Sequence, residues 1–152
     1  MTTTTEITEV LNDLIKINYD RIEGYRKAAE ESKTHDIELH PLFQGMADES
    51  RLHVSALTAH VRESGGEAES GTTAMGKIYR AWMDVKATFT GKDRNSIIAA
   101  CEFGEDAAQK AYDEALSTDA DMDTETRQMI VSQKETLKKS HDKIKAMRDA
   151  GK

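Results

Sequence analysis

LNDLIKINYDRIEGY, residues 11–25, sets apolar side chains at Leu11, Leu14 and Tyr25, with Arg21 or Ile22 on the same line and Asn18 interrupting it. Steps of three and four return to one face of a helix, so the stretch is an amphipathic helix with a single inward stripe. The stripe runs back to Ile7 and forward to Ala28 and Ala29. Near its middle stands Asn18, a polar residue where packing asks for an apolar one. A buried polar group costs stability unless it is hydrogen-bonded. Asn18 therefore points either to a register device or to a ligand site inside a bundle.

Three further stretches repeat the pattern. Pro41 suits the first turn of a second helix, whose stripe is Phe43, Met46, Ser50, His53, Leu57 and Val61 before Gly65-Gly66 stops it. A third helix starts near Asp93 and turns Ile98, Cys101, Glu105, Ala108, Tyr112 and Leu116 inward. A fourth starts near Asp123, with Ile130, Gln133, Leu137, His141, Ile144 and Met147 or Arg148 on its stripe. The first helix is expected to begin near Thr3, where Thr3 and Glu6 have capping-box spacing. Each stripe is polar near its centre: Asn18, then Ser50 with His53, then Glu105, with Gln133 and His141 flanking the middle of the last.

One proline, few β-branched runs and abundant Ala, Glu, Lys and Leu make the chain all-α. Its 152 residues suit one domain, with Met1 to Thr5 as a frayed tail. Short loops join the first helix to the second and the third to the fourth, so each pair is expected to be an antiparallel hairpin. Residues 67–92 form a much longer connection. Met75, Ile78, Tyr79, Trp82, Val85 and Phe89 recur there at helical spacing, which predicts a short amphipathic helix on the outside of the bundle. If that stripe faces outward, it makes a homodimer surface centred on Trp82. Two hairpins joined by one long crossover is the ferritin-like topology, as opposed to the up-down-up-down one.

With 21 Lys and Arg against 28 Asp and Glu, the net charge of -7 argues against nucleic acid as a main partner. Lys134, Lys138, Lys139, Lys143 and Lys145 are the one basic concentration; they complement the helix dipole and are read as a solvated face. No apolar run is long enough for a membrane span, and no signal-peptide pattern opens the chain. The single Cys101 cannot form an internal disulfide, which fits a cytoplasmic setting. No glycine-rich phosphate loop or Ser-His-Asp arrangement occurs.

Residues 18–25, 43–53, 105–112 and 133–147 resemble the ferritin-like superfamily, rubrerythrins and bacterioferritins in particular. The whole chain also looks like a small bacterial family of ferritin-like domains of unknown function. That likeness rests on Leu11-Asn12-Asp13-Leu14-Ile15, Gly71-Thr72-Thr73 and Ala100-Cys101-Glu102-Phe103-Gly104-Glu105-Asp106. Di-iron members carry a glutamate on the first and third helices and Glu-x-x-His on the second and fourth. With Tyr25 as landmark, the resemblance places the first glutamate position at Asn18. It places the second motif at Ser50-Arg51-Leu52-His53, the third carboxylate at Glu105 and the fourth motif at Lys138-Lys139-Ser140-His141. Three of four glutamates are replaced and both histidines remain, so the resemblance implies a degenerate di-iron site without ferroxidase chemistry.

Two functional readings follow. In the first, His53, Glu105, Asn18, Gln133 and Arg21 are hydrogen-bonded core residues of a non-catalytic bundle, an interaction module that the family likeness associates with stress. In it His53 bonds Glu105, Asn18 bridges to Gln133 and Arg21 pairs with Glu105. In the second, His53, Glu105 and His141, with Glu49 one turn before His53, hold a single iron or zinc ion with positions open to water. Glu102 would stand ready on the third helix. His35, His40 and His60 are expected to face solvent, and Cys101 to be a small core residue.

Overall fold

The computed structural model describes residues 2–32, 38–67, 94–117 and 122–150. They form four α-helices: α1 Thr2–Ser32, α2 Leu39–Glu63, α3 Arg94–Leu116 and α4 Thr124–Ala150. No strand occurs among the described residues. α1 begins at Thr2 and so takes in the threonines read as a tail. The expected helix around Met75–Phe89, with Trp82 and the homodimer surface it would offer, lies outside the described residues.

The helix ends follow local rules. Pro41 lies in the first turn of α2, where a missing N–H costs nothing. At its other end the Gly66 N–H donates to Val61 O (3.0 Å) and the Gly65 N–H to Arg62 O (3.0 Å), with Gly65 at φ 82°. This is a Schellman stop, which needs a residue without Cβ at the left-handed position. α4 starts on Asp123, whose Oδ1 accepts the Thr126 N–H at 2.7 Å. That bond holds the Asp123 carboxyl below the usual carboxylate range.

Hydrogen bonds fix the directions of the helices. Along α1 and α2, Ala29 meets His40, Arg21 meets Met46 and Ser50, and Asn12 meets Glu67, so the pair is antiparallel. Tyr112 with Gln133 and Asp106 with His141 make α3 and α4 antiparallel. Asn18 with Tyr112 and Arg21 with Glu105 do the same for α1 and α3, and Glu49 with Ser140 and His60 near Glu125 for α2 and α4. Consequently α2 and α3 run the same way. The C-terminal end of α2 packs with Leu11, whereas the start of α3 packs with Leu39 and Phe43. The end of α2 and the start of α3 therefore lie at opposite ends of the bundle.

The core is split in two. One apolar cluster gathers Tyr25, Leu39, Phe43, Met46, Ile97, Ile98, Cys101 and Ile144. The other gathers Leu11, Leu14, Ile15, Leu57, Val61, Ile130, Leu137 and the ring of Tyr112. Between them lie the buried polar residues Asn18, Arg21, Ser50, His53, Glu105, Gln133 and Ser140. The inward stripes were legible except at some positions: Ile7 is only partly buried, and on α3 Ala115 is buried while Leu116 is only partly so. On α4 it is Ser140 that is buried, and His141 lies at the edge toward α3 with 19% of its side chain exposed.

Candidate functional site: two polar layers at the centre of the bundle

The first layer is built on Arg21, whose side chain is 1% exposed. Its Nε donates to Glu105 Oε1 at 2.5 Å and its Nη2 reaches Glu105 Oε2 at 3.2 Å. Nη2 also lies 3.0 Å from Glu49 Oε1. Nη1 donates to Met46 O (3.0 Å) and to Ser50 Oγ (2.7 Å). A guanidinium has five N–H donors, and each one here finds an acceptor. The Ser140 hydroxyl lies 3.1 and 3.3 Å from the two Glu49 oxygens and brings α4 into the layer. One arginine thus links all four helices. Its guanidinium also sits 5.0 Å from the centre of the Tyr25 ring, within cation–π range.

Burial by itself works against the charge on Arg21. Glu105 outweighs it, with help from Tyr25 and Glu49, and the guanidinium is held above its ordinary pKa. Burial raises the Glu49 carboxyl, against the pull of Arg21 and Ser140. It also raises Tyr25 and the Cys101 thiol, and Glu105 pushes both further. Cys101 is therefore an inert core thiol.

The second layer lies one turn along α1. The Asn18 amide donates to Leu14 O and to the Tyr112 hydroxyl, both at 2.8 Å. The Tyr112 hydroxyl in turn donates to Gln133 Oε1 at 2.7 Å. His53 Nδ1–H donates to Asn18 Oδ1 at 3.4 Å, a long bond that puts the proton of the neutral ring on Nδ1. Burial, and then the positive charge of Arg21, push the His53 pKa down to about 4. Again each helix contributes one residue: Asn18, His53, Tyr112 and Gln133.

The four residues considered as metal ligands have different fates. Glu105 and Glu49 both meet the guanidinium of Arg21. His53 turns to Asn18 and not, as one reading had it, to Glu105. His141 is directed away from the core: its Nε2 lies 2.5 Å from Asp106 and its Nδ1 3.2 Å from Asp142. The cause is helical phase, because Ser140 takes the inward position and the next residue is rotated by about 100°. Among the described residues, no group of three or more His, Cys, Asp or Glu side chains is gathered closely enough to hold a metal ion. Glu102, the reserve on α3, pairs with Arg148.

Other expectations are sharpened. Asn18 does reach Gln133, but through the Tyr112 hydroxyl, a link that a stripe of positions cannot reveal. Arg21 pairs with Glu105, as the first reading expected, and does so at the centre of the bundle. His40 and His60 are both half-buried; His40 Nδ1–H donates to Ala29 O at 2.8 Å, and His60 Nε2 is shielded from solvent. His35 lies outside the described residues. No described helix is long and apolar enough to cross a membrane.

A family model described as a domain of unknown function, DUF2383, matches residues 6–118. The match takes in α1, α2 and α3 and stops before α4. No curated protein matches the chain.

Proposed function

The chain belongs to this family, and we propose that it is a non-catalytic ferritin-like bundle, an interaction module in which the guanidinium of Arg21 takes the place of a metal. The observation that supports this is the complete use of Arg21 by Glu105, Glu49, Ser50 and Met46. In ferritin-like metal centres inward carboxylates gather around cations. Here the inward carboxylates already share a cation that is covalently part of α1. A divalent ion on Glu105 would have to displace a two-point charge-assisted pair, and it would stand beside a like charge at low dielectric. The replacement of three of the four glutamates that the ferritin-like resemblance implies is then intelligible, because a single fixed positive charge calls for fewer carboxylates than two irons do. A buried free thiol at Cys101 supports a cytoplasmic setting.

Metal content is the direct test. Protein purified without added chelator is expected to carry less than about a tenth of an equivalent of iron or zinc, far from a closed site's occupancy. Near-stoichiometric metal that disappears in His53→Ala would overturn the proposal. It would establish instead a mononuclear centre using His53, Glu105, His141 and Glu49.

A further inference from the structure

α4 is the least apolar of the seams. Its buried residues are Thr126, Ile130, Gln133, Leu137, Ser140 and Ile144. They form a strict seven-residue pattern, with Ile130, Leu137 and Ile144 at one position and Thr126, Gln133 and Ser140 at the other. Half of what α4 buries is therefore polar. Of its buried residues only Ile144 enters the first apolar cluster and Ile130 and Leu137 the second, with Met147 and Met129 packed partly buried against them, so most of both clusters is built by α1, α2 and α3. Along α3, α4 is held by Arg148 to Glu102, His141 to Asp106 and Lys134 to Asp113. These are partly exposed ion pairs, which contribute little each. Toward α2 it offers Ser140 to Glu49, and Glu125 at 3.9 Å from His60.

We propose that α4 is an exchangeable helix: it leaves the bundle while α1, α2 and α3 stay packed, and the face it vacates takes the α4 of a second copy. The vacated face is specific. It presents the Tyr112 hydroxyl and the Glu49 carboxylate as polar hooks, to be met by an amide oxygen and a hydroxyl seven residues apart, between apolar residues also seven apart. The helix with that pattern is α4 itself. Exchange between copies remakes each contact at little net cost, which is what makes swapping of an identical element accessible. This inference is independent of whether the central site ever held a metal.

Hydrogen exchange on the intact chain reads the first step. Amides of α4 around Ile130, Leu137 and Ile144 are expected to exchange at least about tenfold faster than those around Leu14 and Val54, as a separately opening unit would. Equal protection of all four helices would overturn the proposal. The second step is read by mixing isotope-labelled and unlabelled chains at about millimolar concentration, where exchange by mass action is favoured. Dimers are expected whose isotope-filtered contacts join a labelled α4 to an unlabelled α1–α3 body. Selective opening without such dimers, or dimers without those contacts, sinks the second-copy assignment. Deleting residues 119–121 shortens the connection between α3 and α4 and is expected to drive the chain to the exchanged dimer. A monomer with α4 detached would count against it.

Discussion

Arg21 and Glu105 meet side-on across the middle of the bundle, Nε to Oε1 at 2.5 Å and Nη2 to Oε2 at 3.2 Å, with each side chain 1% exposed. Desolvating both charges is expensive, and their attraction offsets that cost only because the remaining donors of Arg21 are also satisfied. Such a pair fixes how helices align more surely than it adds stability.

That asymmetry is measurable. Arg21→Met leaves Glu105 buried and unpaired and is expected to cost roughly 3–5 kcal/mol in urea unfolding. Arg21→Met combined with Glu105→Leu should recover most of the loss, within about 1–2 kcal/mol of the original chain. A double variant no better than the single one would show that the pair does not act as a unit.

The second layer turns on one hydroxyl. Tyr112→Phe strands an Asn18 N–H and the Gln133 acceptor, at an expected cost of about 1–3 kcal/mol. Adding Gln133→Leu removes one of the two stranded groups and should return part of it. If Tyr112→Phe unfolds at the same urea concentration as the parent, the hydroxyl bridge is not contributing.

The two histidines should govern opposite sides of the pH profile. His53, lowered to about 4 by burial and Arg21, is bound by fewer protons in the folded chain than in the unfolded one. Its contribution is present above the ordinary pKa of about 6.5 and is lost as pH falls toward 4. For His141 burial works downward, but Asp142 and Asp106 outweigh it and the pKa is raised. Its contribution is present below about 6.5 and fades as pH rises through the folded value. Glu49, also raised, acts in the same sense as His141 at the acid end. Histidine NMR titration should find His53 changing near 4 and His141 above 6.5. His53→Gln should flatten the acid limb of stability, and His141→Gln the neutral-to-alkaline one. Similar midpoints for the two rings would contradict this.

α4 should depend on its cap. Asp123→Ala removes the acceptor for the Thr126 N–H and is expected to lower the urea midpoint of unfolding. Asp123→Asn should lower it much less. Equal losses for the two would mean that charge at the helix end matters more than the cap bond.

The helices and the positions of the polar layers are legible in the sequence because the apolar period of a helix is strong over twenty or more residues. The partners within the layers are legible in part: Arg21 with Glu105 and Asn18 toward Gln133 were expected, whereas His53 with Asn18, and Tyr112 as the bridge, were not. From Leu137, steps of four then three lead through His141 to Ile144, and steps of three then four lead through Ser140 to the same residue. The seven-residue spacing from Thr126 through Gln133 to Ser140 favours the second path, and the structure follows it. Arg21 and Ile22 are both buried; the pairing of Arg21 with Glu105 was expected, but only the arrangement of four helices brings Glu49, Ser50 and Met46 O to the same guanidinium. Glu49, one turn before His53 on α2, lies against Arg21, a contact that its spacing from His53 did not signal.

The two layers also bear on how such a chain can change length. Each takes one or more residues from every helix at matched heights, and neighbouring helices run in opposite directions. Inserting or deleting a single residue between Asn18 and Arg21, between Met46 and His53, between Glu105 and Tyr112, or between Gln133 and Ser140 rotates part of one layer out of phase with the rest by about 100°. Outside those four short windows the helices can grow, shrink or acquire new ends without disturbing either layer. Length variation among relatives that keep this centre should accordingly fall at the two ends of the bundle.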